Sequence, residues 1–431
     1  MRALIFLGCL SIVTVSGRRG FGETTDQEWG FVNVRPNANI FWWLHYTSAK
    51  VNNVTDKPLI LWLQGGPGSS STGYGSFVEL GPLDTNLQPR NSSWDKYANL
   101  LLVDSPVGTG FSYVDDESAY TTNNTQIARD FLVFLKAFFD ENAIFQKVPF
   151  YIFTESYGGK MVAEIVSLLV KEGPSMNIRC NLTGIALGDS WISPVDSVLQ
   201  YAPYLLGLGI VDKRGYDKMN KVAQELKIAV DNERFDEAFG LWRGVEYEIK
   251  TATYGVDMYN VLNKKQGVGS SSDGADYSVD YPGQTGVDPE ADAIVSKIMN
   301  GPVRDALNIS QFFGTQSDDV FNVLKGDFMS PVVNIVEELL NTTSIYIAVY
   351  TGQLDLIVPT PGTLNWVNNM NWKNKEQWQA AERMLYKNEG FVKRSTNFGV
   401  YWVERSGHMV PADNPNAMDY ILRDVTNNFQ V

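Results

Sequence analysis

The sequence predicts an α/β fold with a largely parallel central sheet, interrupted by a helical insertion, and three observations carry that expectation. From residue 29 to about 195, short β-rich runs alternate with helical patterns and turn signals. After Asp196 the strand signal disappears and polar helices dominate, including the stretch from Lys213 to Lys250. From Ile345 the β pattern returns as IYIAVY and later as FGVYWVE.

The chain opens MRALIFLGCLSIVTVSG, with one positive charge at Arg2, an apolar stretch from Ala3 to Val15, and small residues Ser16 and Gly17. Residues 1–17 are expected to be a cleavable secretory signal, too short for a membrane span, which needs about 20 apolar residues. No later segment supplies such a run. Residues 18–431 then form one α/β domain with a helical insertion at about 196–340. The strand-like runs are Ile40 to Tyr46, Leu59 to Leu63, Leu100 to Val103, Phe150 to Phe153 and Thr183 to Leu187. A helix after Ser156 places Met161, Val162, Ile165, Leu168 and Leu169 at helical spacing and stops at Gly173-Pro174. Within the insertion, residues 267–289 are rich in Gly, Ser and Asp, which marks an exposed, mobile loop.

With 431 residues and 44% hydrophobic composition, the chain can bury a large core. It needs one, because of its two cysteines Cys9 leaves with the signal and Cys180 has no partner. Net charge is −14, and no Lys/Arg cluster stands out, so a nucleic-acid partner is not expected. Acidity of this kind relaxes as pH falls, as in a lysosome-like lumen, although ordinary solubility accounts for it equally. Six N-x-S/T sequons, at Asn53, Asn91, Asn123, Asn181, Asn308 and Asn341, agree with a secretory route ending in secretion or the lysosome. The composition leaves the oligomeric state open.

Only His45 and His408 are available as a base for serine chemistry. His45 sits in FWWLHYTS, where one strand face carries Phe41, Trp43 and His45, and is expected to be structural. His408 lies in the loop ERSGHMVPADNP after the strand-like Val400 to Val403, where catalytic groups collect on α/β sheets. Ser156 stands at a strand-to-helix turn with Gly158 two residues on, close to the G-x-S-x-G elbow, although Thr154 occupies the first glycine position. The order Ser, Asp, His makes Asp355, after the strand and Gly352, the expected third member, which would hold the imidazole in its tautomer. WLQGGPGSS supplies Gly66 as an oxyanion donor beside the Tyr157 N–H, while Ser69, Ser70 and Ser71 read as helix caps. Neither a metal nor a cofactor is expected. Glu155 remains the puzzle, because a carboxylate beside the nucleophile repels the oxyanion.

WLQGGPGSS, DSPVGTGFSY, FTESYGG, YTGQLDLIVP and SGHMVP, in that order, resemble the serine carboxypeptidase family over nearly all of the mature chain, and LGDSWISPVDS and SYGGKM look most like its retinoid-inducible branch. The resemblance implies an α/β-hydrolase fold with a helical cap, and release of single C-terminal residues from peptides through Ser156, Asp355 and His408, often in acidic compartments. It further implies a substrate-carboxylate site at Gln64, Glu79 and Glu155, and Met409 is a candidate lining of the leaving-residue pocket or, equally, a core methionine. Three positions depart from the family pattern: Gln64 replaces an asparagine, Thr154 a glycine, and Ser69 a cysteine. An exopeptidase must recognise a free carboxylate, and Glu155 can do so only while protonated. Acyl transfer by the same triad, and a binding protein that has kept the fold, are the competing readings.

Overall fold

A computed structural model of the chain describes residues 13–15, 20–23, 25–264 and 289–426. The stretch read as a secretory signal lies outside these residues except for Val13–Val15, and the Gly/Ser/Asp-rich loop lies outside them up to Pro289. Among the described residues twelve strands form one sheet: β1 (Val13–Val15), β2 (Gln27–Arg35), β3 (Ala38–His45), β4 (Leu59–Leu63), β5 (Asn99–Val103), β6 (Tyr113–Val114), β7 (Pro149–Glu155), β8 (Asn181–Gly188), β9 (Tyr346–Gly352), β10 (Met384–Tyr386), β11 (Gly390–Ser395) and β12 (Phe398–Val403). Their order is β1-β2-β3-β5-β4-β7-β8-β9-β12-β11-β10, with β6 beside β3.

The six central strands, β5 to β12 in that order, run parallel, and antiparallel ribbons extend the sheet on both sides. The centre reads as continuous apolar runs because both of its faces are covered. Leu59, Leu61 and Leu63 of β4 point into one core with Phe150 and Ile152 of β7, while Ile60 and Trp62 point into a second with Tyr151 and Phe153. Helices α1 (Asn124–Glu141) and α2 (Tyr157–Glu172) cover the first face. The helix Pro415–Thr426 covers the second through Ala417, Met418, Ile421, Leu422 and Val425.

Register sets the site. Leu63 lies opposite Thr154, Glu155 opposite Gly188, Gly188 opposite Tyr350, and Gly352 opposite Val403. The residues that follow these strands, Gln64, Ser156, Asp189, Asp355 and His408, therefore emerge along one edge of the parallel sheet, at its carboxyl ends.

Between β8 and β9 the described residues form no strand of the sheet. They hold α3 (Pro194–Gly207), α4 (Lys213–Asp231), α5 (Phe235–Thr253), α6 (Pro289–Ile298) and shorter helices. This layer is pinned to α2 by buried contacts: Tyr157 stacks on Phe328 at 5.8 Å, Trp242 lies 4.8 Å from the same ring, and Lys160 Nζ pairs with Asp327 at 2.8 Å. No described helix is long and apolar enough to cross a membrane.

Candidate active site

Ser156 follows β7 and caps α2 with φ 58° and ψ −132°, a strained geometry for a residue with a side chain. The turn is held by Ser156 N–H donating to Gly188 O at 3.0 Å and by Ser156 O accepting from Trp191 N–H at 2.8 Å. Gly65 backs onto it so closely that a Cβ there would stand 2.5 Å from the Ser156 Cβ and 3.1 Å from the Tyr157 nitrogen. Thr154, the departure in the elbow, is accommodated. Its hydroxyl donates to Leu63 O at 2.7 Å, in the space a side chain at Gly158 would claim.

The other two triad candidates meet. His408 Nδ1 and Asp355 Oδ2 are 2.7 Å apart, with both side chains essentially unexposed. Asp355 Oδ1 accepts from Val358 N–H at 3.1 Å. Gly352 and Gly407 let their loops touch, since a Cβ at Gly352 would collide with the Gly407 carbonyl. With Nδ1 bound to the carboxylate, Nε2 is the ring atom left to serve as base, and it has no hydrogen-bond partner within the protein. Burial lowers the His408 pKa, against the opposing pull of Asp189, Glu79, Asp413 and Asp257. That desolvation favours the neutral imidazole.

Gly66, at φ 108°, and Tyr157, at the start of α2, each keep an N–H that donates to no protein group. The Gly66 loop is built by Asp104, whose buried carboxylate accepts from Ser70 Oγ at 2.8 Å, Thr72 N–H at 3.0 Å and Phe111 N–H at 3.0 Å. Ser70 caps the wide helix Ser71–Leu80 by accepting from Gly73 N–H at 2.9 Å, and Ser71 Oγ accepts from Gln64 N–H at 3.0 Å. Of the three serines Ser70 alone acts as a cap, and Ser71 instead holds the Gln64 backbone. Gln316, from the helical layer, covers the loop by donating to Pro67 O at 2.9 Å.

Glu155 has a partner. Gln64 Nε2 donates to Glu155 Oε1 at 2.5 Å and to Glu79 Oε1 at 2.8 Å, while Gln64 Oε1 accepts from Trp62 Nε1 at 2.7 Å. Trp62 thus fixes which end of the amide faces the acids. The longer glutamine fits because Gly75 has no side chain; a Cβ there would stand 2.7 Å from Gln64 Oε1. Burial pushes Glu79 up to about 7, and burial followed by repulsion from Glu79 pushes Glu155 well above the ordinary range. Oε2 of each acid is buried without a donor, so the pair is satisfied only when it carries a proton.

Met409 is half-buried, and its sulfur accepts from Tyr74 O–H at 3.1 Å, beside the Gly66 loop. His45 is buried, lies 4.6 Å from the Trp43 ring and is lowered to about 3 by desolvation, far from a useful base. All six sequon asparagines are exposed.

Two participants escaped the sequence reading. Asp189, just after β8, is buried within 4.8 Å of Asp355 and His408; its place at the end of a parallel strand was the available signal. Tyr259 follows α5, sets its ring 4.8 Å from the His408 ring edge-on, and through its carbonyl accepts from the His408 backbone N–H at 2.7 Å, while the neighbouring Met258 O accepts from Leu356 and Ile357 N–H at 2.9 Å. No local pattern marks Tyr259, because its role exists only once the helical layer returns to the sheet.

A family model described as serine carboxypeptidase matches residues 20–428. The retinoid-inducible serine carboxypeptidases of Rattus norvegicus and Homo sapiens are 43% and 42% identical, over 92% and 94% of this chain and 91% and 92% of theirs. A venom serine carboxypeptidase of Apis mellifera is 33% identical over 91% of this chain and 82% of its own. Among solved structures, a prohormone-processing carboxypeptidase from Saccharomyces cerevisiae superposes with a TM-score of 0.79 at 21% identity, covering 94% of this chain and 92% of the other.

Proposed function

The chain belongs to the serine carboxypeptidase family and is a serine-type hydrolase, and from that premise we propose that it releases single residues from peptide C-termini through Ser156, His408 and Asp355. His408 Nε2 takes the Ser156 proton as Oγ attacks the last peptide carbonyl, and the Gly66 and Tyr157 N–H groups receive the oxyanion. His408 then protonates the departing amino acid, and water hydrolyses the acyl-enzyme by the reverse proton path.

The observation that carries this reading is the Gln64 amide bridging two buried acids beside the nucleophile. A protonated carboxyl pair with an amide donor suits a free terminal carboxylate, which an endopeptidase has no need to bind. The puzzle of Glu155 resolves in the same way, because once protonated it donates instead of repelling. Binding of free-acid peptides then favours acidic pH. A signal at residues 1–17 and six exposed sequons support a secretory, glycosylated product, secreted or lysosomal.

The test is fluorophosphonate labelling of the purified chain with amino-acid release from free-acid peptides, assayed with and without added alcohols. Labelling plus free C-terminal residues is expected. Ester formation in place of hydrolysis identifies acyl transfer, and absence of labelling identifies a binding protein.

A further inference from the structure

One buried carboxyl beside the triad has no part in that mechanism. Asp189 is 1% exposed, sits in the left-handed region at φ 35°, and is locked there by its N–H donating to Tyr350 O at 2.8 Å. Its carboxyl oxygens both face Gly352 N–H, at 2.9 and 3.2 Å. One oxygen of Asp189, one of Asp355 and a ring nitrogen of His408 all lie within 4.8 Å of one another.

Two carboxylates this close, in so dry a setting, cannot both ionise. The donors decide which takes the proton. Asp355 receives Val358 N–H and His408 Nδ1–H on separate oxygens and faces the Ile357 N–H, whereas Asp189 receives one N–H divided over two, with the neutral Thr351 hydroxyl as its other donor. Asp355 is therefore the better anion.

We propose that Asp189 is a positioning residue: as a carboxylic acid it donates its O–H to Asp355, and so keeps Asp355 the ionised partner of His408 under acidic conditions. Burial raises both aspartates well above the ordinary range, repulsion from Asp355 raises Asp189 further, and the hydrogen bond from Asp189 holds Asp355 back down. Without that donor, Asp355 would itself take up a proton in acid. It would then stop accepting from Nδ1, and the imidazole would lose both its orientation and the counter-charge for its cation. The other acids facing the group are Asp413 and Asp257 towards His408, with Glu79 and Glu155 across the nucleophile. Tyr204 and Tyr350 also face it, and burial keeps both phenols neutral.

The inference rests on the triad reading above, and the two can fail separately. The measurement is kcat and the rate of fluorophosphonate labelling against pH, for wild type, D189N and D189L. D189L, lacking a donor, should move the acid limb up by about one pH unit or more, so that activity falls about tenfold further at low pH than near neutrality. D189N, whose amide donates at every pH and can still accept from Gly352, should leave the limb in place. An equal loss at all pH values in D189L, or a D189N limb displaced like that of D189L, overturns the proposal and leaves Asp189 a structural acceptor. Should D189L not fold, infrared difference spectra between acid and alkaline pH decide. A protonated-carboxyl band present in wild type and missing in D189N is expected, and an unchanged band overturns it. If Ser156→Ala still labels, the triad reading is at fault instead.

Discussion

Two buried carboxyl pairs lie on either side of Ser156, the proposed nucleophile, and they differ in what stands between their members. Glu79 and Glu155 are joined by the Gln64 amide on the side of the Gly66 loop. Asp189 and Asp355 share Gly352 N–H and His408 on the other side. Burial raises all four acids, so each pair holds a proton where exposed acids have lost theirs. The first pair has oxygens without a donor, and a ligand can use its proton. The second has every oxygen engaged, so its proton can only orient its neighbours. On the function proposed above, one chemical device would serve binding in one place and base orientation in the other, and partner saturation would decide which.

The largest expected effect removes the chemistry that both pairs serve. Ser156→Ala and His408→Ala should each cost on the order of a million-fold in kcat, with fluorophosphonate labelling lost from the serine variant and the fold retained by circular dichroism. Activity persisting in both would detach the pairs from any common reaction.

Next comes the split between binding and turnover. For free-acid peptides KM should climb as pH rises through about 7, where Glu79 ionises, while kcat holds. Glu155→Gln should flatten that climb, and C-terminally amidated peptides should show little of it in either protein. Matching KM profiles in wild type and E155Q would remove the carboxylate-recognition role and with it the contrast between the pairs.

A smaller effect concerns stability. The folded Glu79 pKa lies above its ordinary 4.5, so its contribution is complete below that value and is lost as pH rises towards about 7. Asp189 and Glu155 act in the same direction. His45, lowered from 6.5 to about 3, acts oppositely, but only as pH falls below 6.5. Tm should therefore drop by a few degrees between about pH 6.5 and 8, and Glu79→Gln should reduce the drop. A Tm that rises over this range would refute the protonated state of the acids.

The smallest functional effect belongs to the other histidine. His45→Ala should lower Tm through a cavity beside Trp43 while kcat stays within about twofold, as core truncations act on stability. A kcat loss comparable to that of His408→Ala would reopen the choice of base.

Much of the site was legible because the chain is sparing with the residue that matters. Two histidines, one in an alternating strand and one in a strand-end loop, leave a single base, and the order of Ser156, Asp355 and His408 along the chain supplies the rest. Glu155 could be questioned from sequence alone because it adjoins the nucleophile. Asp189 could not be singled out among 49 acidic residues, since nothing local separates a buried acid from a solvated one. Thr154 and Gln64 looked like flaws for a related reason. Each is compensated by a glycine distant in sequence or set off by a turn, Gly158 for the threonine and Gly75 for the glutamine, and such compensation is visible only in space. Strands β3 and β12 were legible as the runs Ile40 to Tyr46 and FGVYWVE, whereas β2, β10 and β11 went unread, because their residues are only partly buried and carry no continuous apolar run.

By itself the sequence determined the parallel core, the elbow serine, the one workable histidine and the family blocks, because each is written in contiguous residues whose local preferences agree with the fold. Tertiary structure alone decided the raised pKa values of the four acids, the bracing of the Asp355 and His408 loops by Met258 and Tyr259, and the lowering of the His408 pKa by burial. The physical reason is that desolvation and like-charge repulsion depend on which groups end up within a few ångströms of one another out of water, and chain order carries no record of that distance.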